Sequence, residues 1–359
     1  SHAEDLPDLS ISTAEVMDLI EQLRQKRPDG FTVGRLQEVA DQVTRYYRDK
    51  GLVLAQAVIP IQDVSGGIVK IEVFIGYLDR VLVEGNQVYD QQVLQAVFDD
   101  LIDQPIVQSQ IEAALLRLTD YPGLRVYGVF QPGQLVGTAD IVLNVQQEER
   151  FETELRVDNY GSQETGRLRG RANMDWNSLF GGADKLGVLF QQTFNPKESE
   201  FYFFEYQRFL PYGLRIGTSW DHSDYGVGGE FEEQLITGDS DEYSVFLEKT
   251  LLRSRQENLS AMFRFSRSDS VVQRAGVDEI NEVLSVLNLS MQYDVVDSFN
   301  VFPFFHSNDS DFVASGINFF SLEVSQGLEG VLGAIGSMED VANLPDGQRP
   351  GRQGGTGEF

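Results

Sequence analysis

The sequence predicts an α+β front half built from two copies of a β-α-α-β-β module. An antiparallel, membrane-spanning β-sheet of about nine strands follows. Three observations carry this. Helical and strand periods alternate twice in the same order up to about residue 148. A strict period of two then takes over. Asp, Ser, Gly and Asn cluster between the later segments.

In the first module, Ser12 and Glu15 have capping-box spacing, and Val16, Leu19, Ile20 and Leu23 follow at helical intervals up to Gly30. A second helix runs from about Thr32 to Lys50, with Leu36, Val39, Ala40, Val43 and Tyr47 on one face, and Gly51 stops it. Two strands are expected at Leu52–Ile61 and Ile68–Gly76, joined by an Asp63–Gly67 hairpin turn. An opening strand is not evident, since Leu6–Ser10 is short and contains Pro7. The second module runs strand Asp79–Gly85, helix Tyr89–Ile102, helix Gln108–Asp120, then strands Leu124–Phe130 and Ala139–Val145 around Gly133. The expected domains are 1–77, 78–148 and 149–359.

Beyond residue 148, Phe151, Thr153, Leu155 and Val157 alternate with Glu152, Glu154, Arg156 and Asp158. Leu168–Trp176 and Leu287–Tyr293 alternate likewise, and six further segments of about ten residues follow the pattern: 185–193, 200–209, 214–222, 243–251, 259–268 and 317–326. Such a strand has one apolar and one polar face. A soluble sandwich and a transmembrane barrel both satisfy that. Strand length, charge on every other position and aromatic clusters at Phe201–Phe204 and Phe302–Phe305, read as strand ends, favour the barrel. Single-chain bacterial barrels have even strand numbers, so nine strands imply an unfinished barrel. The loop-like Gly354–Phe359 points the same way.

Composition narrows function. A net charge of −28 disfavours nucleic acid. No cysteine means no thiol chemistry, and no apolar run is long enough for a membrane helix. Ser1–Asp5 lacks signal-peptide character, which implies either a cytosolic protein or a trimmed chain; the barrel pattern favours trimming. The three histidines, His2, His222 and His306, are scattered. Asp239/Asp241 and Asp309/Asp311 read as solvated loop acids, so neither catalysis nor a metal or cofactor is expected.

The order of parts resembles the outer-membrane transporters of two-partner secretion, within the outer-membrane protein 85 superfamily. The carrying stretches are FTVGRLQEVADQVTRYYRDKGLVLAQAVIPIQ (31–62), IEVFIGYLDRVLVEGN (71–86), VDNYGSQETGRLRGRANMDWNSLFGGADKLGV (157–188) and SLEVSQGLEGVLGAIGS (321–337). The resemblance implies two periplasmic POTRA modules, a 16-strand barrel in the outer membrane, and export of an unfolded partner exoprotein (haemolysin, adhesin or contact-dependent toxin). It also implies contact with lipid and lipopolysaccharide, a monomer, and no cofactor. The family's Val-Arg-Gly-Tyr/Phe loop is absent from this sequence. In such modules the strand after the second helix is a sheet edge able to add a client strand. This assigns client binding to Leu124, Val126, Gly128 and Phe130 beside Ile111, Leu115 and Leu118, and to Leu54, Gln56, Val58 and Pro60 in the first module. Glu152, Glu154, Arg156, Asp158, Arg169, Arg171, Asp175, Asn288 and Glu323 are expected to line the lumen. A barrel-assembly factor of the same superfamily is the alternative.

Overall fold

The computed structural model describes residues 11–25, 33–64, 68–194, 199–297 and 316–336. The first module contains α1 (Thr13–Gln25), α2 (Val33–Asp49), β1 (Gln56–Val58) and β2 (Glu72–Phe74), with β1 and β2 antiparallel. Its core is Ala40, Val43 and Ala57, packed by Val16, Ile20, Tyr47, Ile59, Ile71 and Val73. The capping box forms by half. Ser12 Oγ accepts from the Glu15 N–H at 3.4 Å, but the Ser12 N–H donates to the Tyr46 hydroxyl at 3.1 Å. The Glu15 carboxylate accepts from that hydroxyl at 2.7 Å and pairs with Lys50 at 3.3 Å, and the Tyr46 bond, then Lys50, holds it below the usual carboxylate range. A tertiary tyrosine has taken the local partner's place. The expected strands shorten to three residues each. Leu6–Ser10, Gly30 and most of the hairpin turn lie outside the described residues.

The second module adds β3 (Tyr77–Glu84), α3 (Gln91–Gln95), a 3-10 turn (Ala96–Leu101), α4 (Gln108–Thr119), β4 (Leu124–Pro132) and β5 (Thr138–Glu148). The single helix expected over 89–102 is thus a short α-helix that tightens into 3-10. Leu94, Val97 and Phe98 are still all buried. The strand order is β3-β5-β4, with β3 parallel to β5, so β4 is an edge. By Cα packing the chain forms two compact units: 1–86, 94–118 and 125–146, and then 87–93, 119–124 and 147–359.

The second unit is dominated by one antiparallel sheet of nine strands in sequential order, β6 to β14. They are β6 (Phe151–Asp158), β7 (Leu168–Asn177), β8 (Asp184–Phe194), β9 (Ser199–Leu210), β10 (Leu214–Gly226), β11 (Ile236–Arg253), β12 (Glu257–Arg274), β13 (Val277–Asp297) and β14 (Gly316–Gly327). The count of nine matches the alternation. The lengths do not: β11 and β12 have 18 residues and β13 has 21, where about ten are expected. Polar stretches such as Thr237–Glu242 stay in the ladder because backbone pairing, not hydrophobicity, sets strand ends. The same unit holds short segments of the second module against the sheet. Arg253 donates to both Asp120 oxygens at 2.9 and 2.7 Å, Tyr121 packs on Phe209 at 5.8 Å, and the Asp90 N–H donates to Gly181 O at 2.8 Å.

Candidate functional site: a sheet edge and a polar sheet face

In β4, Leu124, Val126, Gly128 and Phe130 point inward, while Tyr127 and Val129 are 47% and 48% exposed on the other face. Ile111 and Leu118 of α4 are 6% and 0% exposed, and Leu124 is 4% exposed. These three residues, two expected in the groove and Leu124 on the edge strand, are closed core, because α4 lies on the inner face of the sheet. Leu115 is partly buried over Gly128, where an added Cβ would meet Leu115 at 3.2 Å and Ile141 at 2.9 Å. What β4 leaves open is its backbone edge and the Tyr127/Val129 face. In the first module, Gln56 is exposed, Leu54 and Val58 are partly buried, and the buried residue of β1 is Ala57. Leu54, Gln56, Phe74 and Ile75 line an apolar cavity of about 490 Å³ with Phe130, Pro132, Val136 and Ala139. Sequence reasoning missed this cavity, since it joins residues about 80 positions apart.

Directly opposed residues of antiparallel strands share a face. Glu152, Glu154, Arg156 and Asp158 oppose Asp175, Asn173, Arg171 and Arg169. Carrying the register across β8 to β14 brings Ser290, opposite Glu323, and Asn288 onto that same side. All the expected polar residues therefore lie on one face. They pair mostly with one another: Arg169 and Arg156 with Asp158 at 2.8 and 3.1 Å, and Lys185 with Asp175 at 2.8 Å. Asn288 donates to Glu323 and Ser325. The face is not uniformly charged. Phe201 and Phe203 fall on it, inside β9 rather than at a strand end, while Tyr202 and Phe204 point away. Phe246 is 6% exposed there, between the guanidinium groups of Arg215 and Arg264 at 5.2 and 5.4 Å. Phe302–Phe305 and Asp309/Asp311 lie outside the described residues.

The opposite face carries Leu155, Val157, Leu168, Phe204, Ile216, Val245, Leu247, Leu289, Leu322 and Val324, all exposed, Leu155 to 85%. Among the described residues no second sheet covers it. A soluble sandwich would bury this face, and a barrel turns it to lipid. No described helix is long and apolar enough to cross a membrane.

Small α/β modules ahead of an antiparallel sheet with one apolar and one polar face are the architecture of the class of POTRA-bearing outer-membrane barrels. Two family profiles match this chain, together over more than half its length: the POTRA domain, ShlB-type, over residues 10–76, and the haemolysin secretion/activation protein ShlB/FhaC/HecB over 137–296. In both stretches the chain is similar to the ShlB/FhaC/HecB family. It is 24% identical over 247 residues to the heme/hemopexin transporter protein HuxB of Haemophilus influenzae, covering 67% of this chain and 43% of that protein. It is 24% identical to the outer membrane transporter CdiB-2 of Burkholderia pseudomallei, covering 80% and 47%. It is 22% identical to the hemolysin transporter protein ShlB of Serratia marcescens, covering 70% and 45%. The chain thus spans less than half the length of these relatives. Two solved structures share the fold: CdiB from Escherichia coli (TM-score 0.68, 17% identity, 90% of this chain and 58% of that one) and CdiB from Acinetobacter baumannii (0.60, 18%, 88% and 59%).

Proposed function

We propose that this chain works in cofactor-free, non-enzymatic export of an unfolded partner exoprotein across the outer membrane. The observation that carries it is the combination of an open edge at β4 with a single sheet whose faces are sorted into polar and apolar. The modules (1–77 and 78–148) stand in the periplasm, and the sheet from 149 contributes to a monomeric barrel whose apolar face meets lipid and lipopolysaccharide. An extended client adds to β4 through main-chain hydrogen bonds, its side chains resting on Tyr127 and Val129. It then passes along the polar face. Mutually paired charges there hydrate the passage without gripping the chain.

Adjacent residues of a strand aim their N–H groups to opposite sides, so one of Val126 and Tyr127 faces β5 and the other faces the open edge. Replacing the edge-facing one by Pro removes a donor only the client uses. Its affinity for an extended client peptide, measured by fluorescence anisotropy, is expected to fall about tenfold, in line with the roughly 1.5 kcal/mol of one net hydrogen bond. Unchanged affinity in both variants contradicts strand addition.

A further inference from the structure

The sequence reading takes Asp239 and Asp241 as loop acids and His222 as isolated. In the structure both aspartates lie within β11, and His222 lies within β10 directly opposite Asp241. His222 Nδ1 is 3.2 Å from Asp241 Oδ1, and Nε2 is 3.7 Å from Asp239 Oδ2. One ligand atom from each of the three residues lies within 4.8 Å of the others. Ligands held about 2.0–2.2 Å from one ion stand at most about 4.4 Å apart, so the three side chains draw together slightly to share it, His222 offering one ring nitrogen. The Trp220 indole N–H fixes Asp241 by a 2.9 Å bond, and the Trp220 and Tyr202 rings flank the imidazole at 6.2 and 6.0 Å.

The surroundings call for positive charge. These side chains project from the apolar face of the sheet, where Tyr202, Trp220 and Tyr243 form an aromatic rim. Just beyond the rim, Glu200 opposes Asp224, and Asp224 opposes Asp239. Like charges set directly opposite one another repel. Among the described residues no lysine or arginine pairs with these three, and Arg267 on the next strand is turned to Asp269 and Leu332 O. A bound cation relieves that repulsion where an uncompensated carboxylate beside lipid is costly.

We propose that His222, Asp239 and Asp241 form a divalent metal site of the zinc class on the outward face of β10–β11, at the aromatic rim. One imidazole and two carboxylates favour a borderline cation of this class over the all-oxygen sets that hold Ca²⁺ or Mg²⁺.

The only tryptophans are Trp176 and Trp220, so a Trp176→Phe background makes Trp220 the sole indole reporter. The test titrates Zn²⁺ alone into the full chain in detergent and follows Trp220 fluorescence. The expected result is a saturable change at low micromolar Zn²⁺, with one equivalent bound and no change with Ca²⁺ at the same concentrations. His222→Ala and Asp241→Asn should each weaken binding at least about tenfold, the scale on which even supporting residues act. Should either lose strand content by circular dichroism, Asp239→Asn, at a side chain 52% exposed, carries the comparison. No saturation in the parent, or undiminished affinity in the variants that keep their strands, overturns the proposal.

Discussion

Asp140 is 1% exposed near the start of β5, yet it stays charged because Arg80 on β3 holds it with bonds of 3.3 and 2.6 Å. That bonding, aided by Gln131 and opposed by burial, sets its pKa below the usual carboxylate range. The folded form therefore binds the proton less readily than the unfolded chain. Stability from this pair is present above the unfolded value of about 3.9 and is lost as pH falls through the lower folded value. Asp140→Asn should lower hydrogen-exchange protection of β3 and β5 amides at neutral pH and flatten its decline below about pH 4. An unchanged acid limb would show that the pair contributes nothing. Little at this scale was legible in the sequence. The alternation puts Asp140 out of phase with Ile141, but nothing pairs it with a residue 60 positions away. Gly217 is similar: a Cβ there would come within 2.5 Å of the Phe246 ring, so this glycine makes the space that lets Arg215 and Arg264 enclose Phe246. The His222–Asp241 contact likewise depends on the β10–β11 register, and composition alone reads Thr237–Glu242 as a loop.

Elements were more legible, because periodicity is a property of a whole segment. The nine strands follow from period-two alternation, and the helices of both modules from apolar residues three and four apart. Gly51, with φ +98°, ends α2 where the sequence places the stop. Strand lengths were missed because ladders continue past the apolar span. The resemblance assigns the groove residues Ile111 and Leu118 to a client, and periodicity marks their apolar helix face without saying that it is already covered. One connection between elements rests on a single side chain. The Glu148 carboxylate accepts the N–H groups of Gln87, Val88 and Tyr89 at 2.7, 3.0 and 3.2 Å. Tyr89 is buried, its hydroxyl donates to Pro122 O, and burial, reinforced by Asp184, raises its phenol above the ordinary range. Glu148→Ala should destabilise residues 87–93 by about 1–2 kcal/mol, since three donors lose one acceptor and only the more exposed ones recover water. Hydrogen exchange of those amides reads this directly. Protection equal to the parent would mean that Glu148 holds nothing in place.

At the scale of the whole molecule, the sorting of faces decides the account. Glu154, Arg171 and Glu323 share one side of the sheet, and Leu155, Ala172 and Leu322 share the other. That arrangement supports the proposed hydrated passage bounded by lipid, in which β4 is proposed to hold an extended chain first. The most direct test is site-specific photo-crosslinking in cells exporting a co-expressed partner polypeptide. Crosslinkers would be placed at Tyr127 on β4, at Arg171 and Glu323 on the polar face, and at Leu155 and Leu322 on the apolar face. The account predicts adducts with the exported polypeptide from Tyr127, Arg171 and Glu323, and adducts with lipid alone from Leu155 and Leu322. Equal client adducts from both faces, or none from Tyr127 and Arg171 while export proceeds, would contradict it.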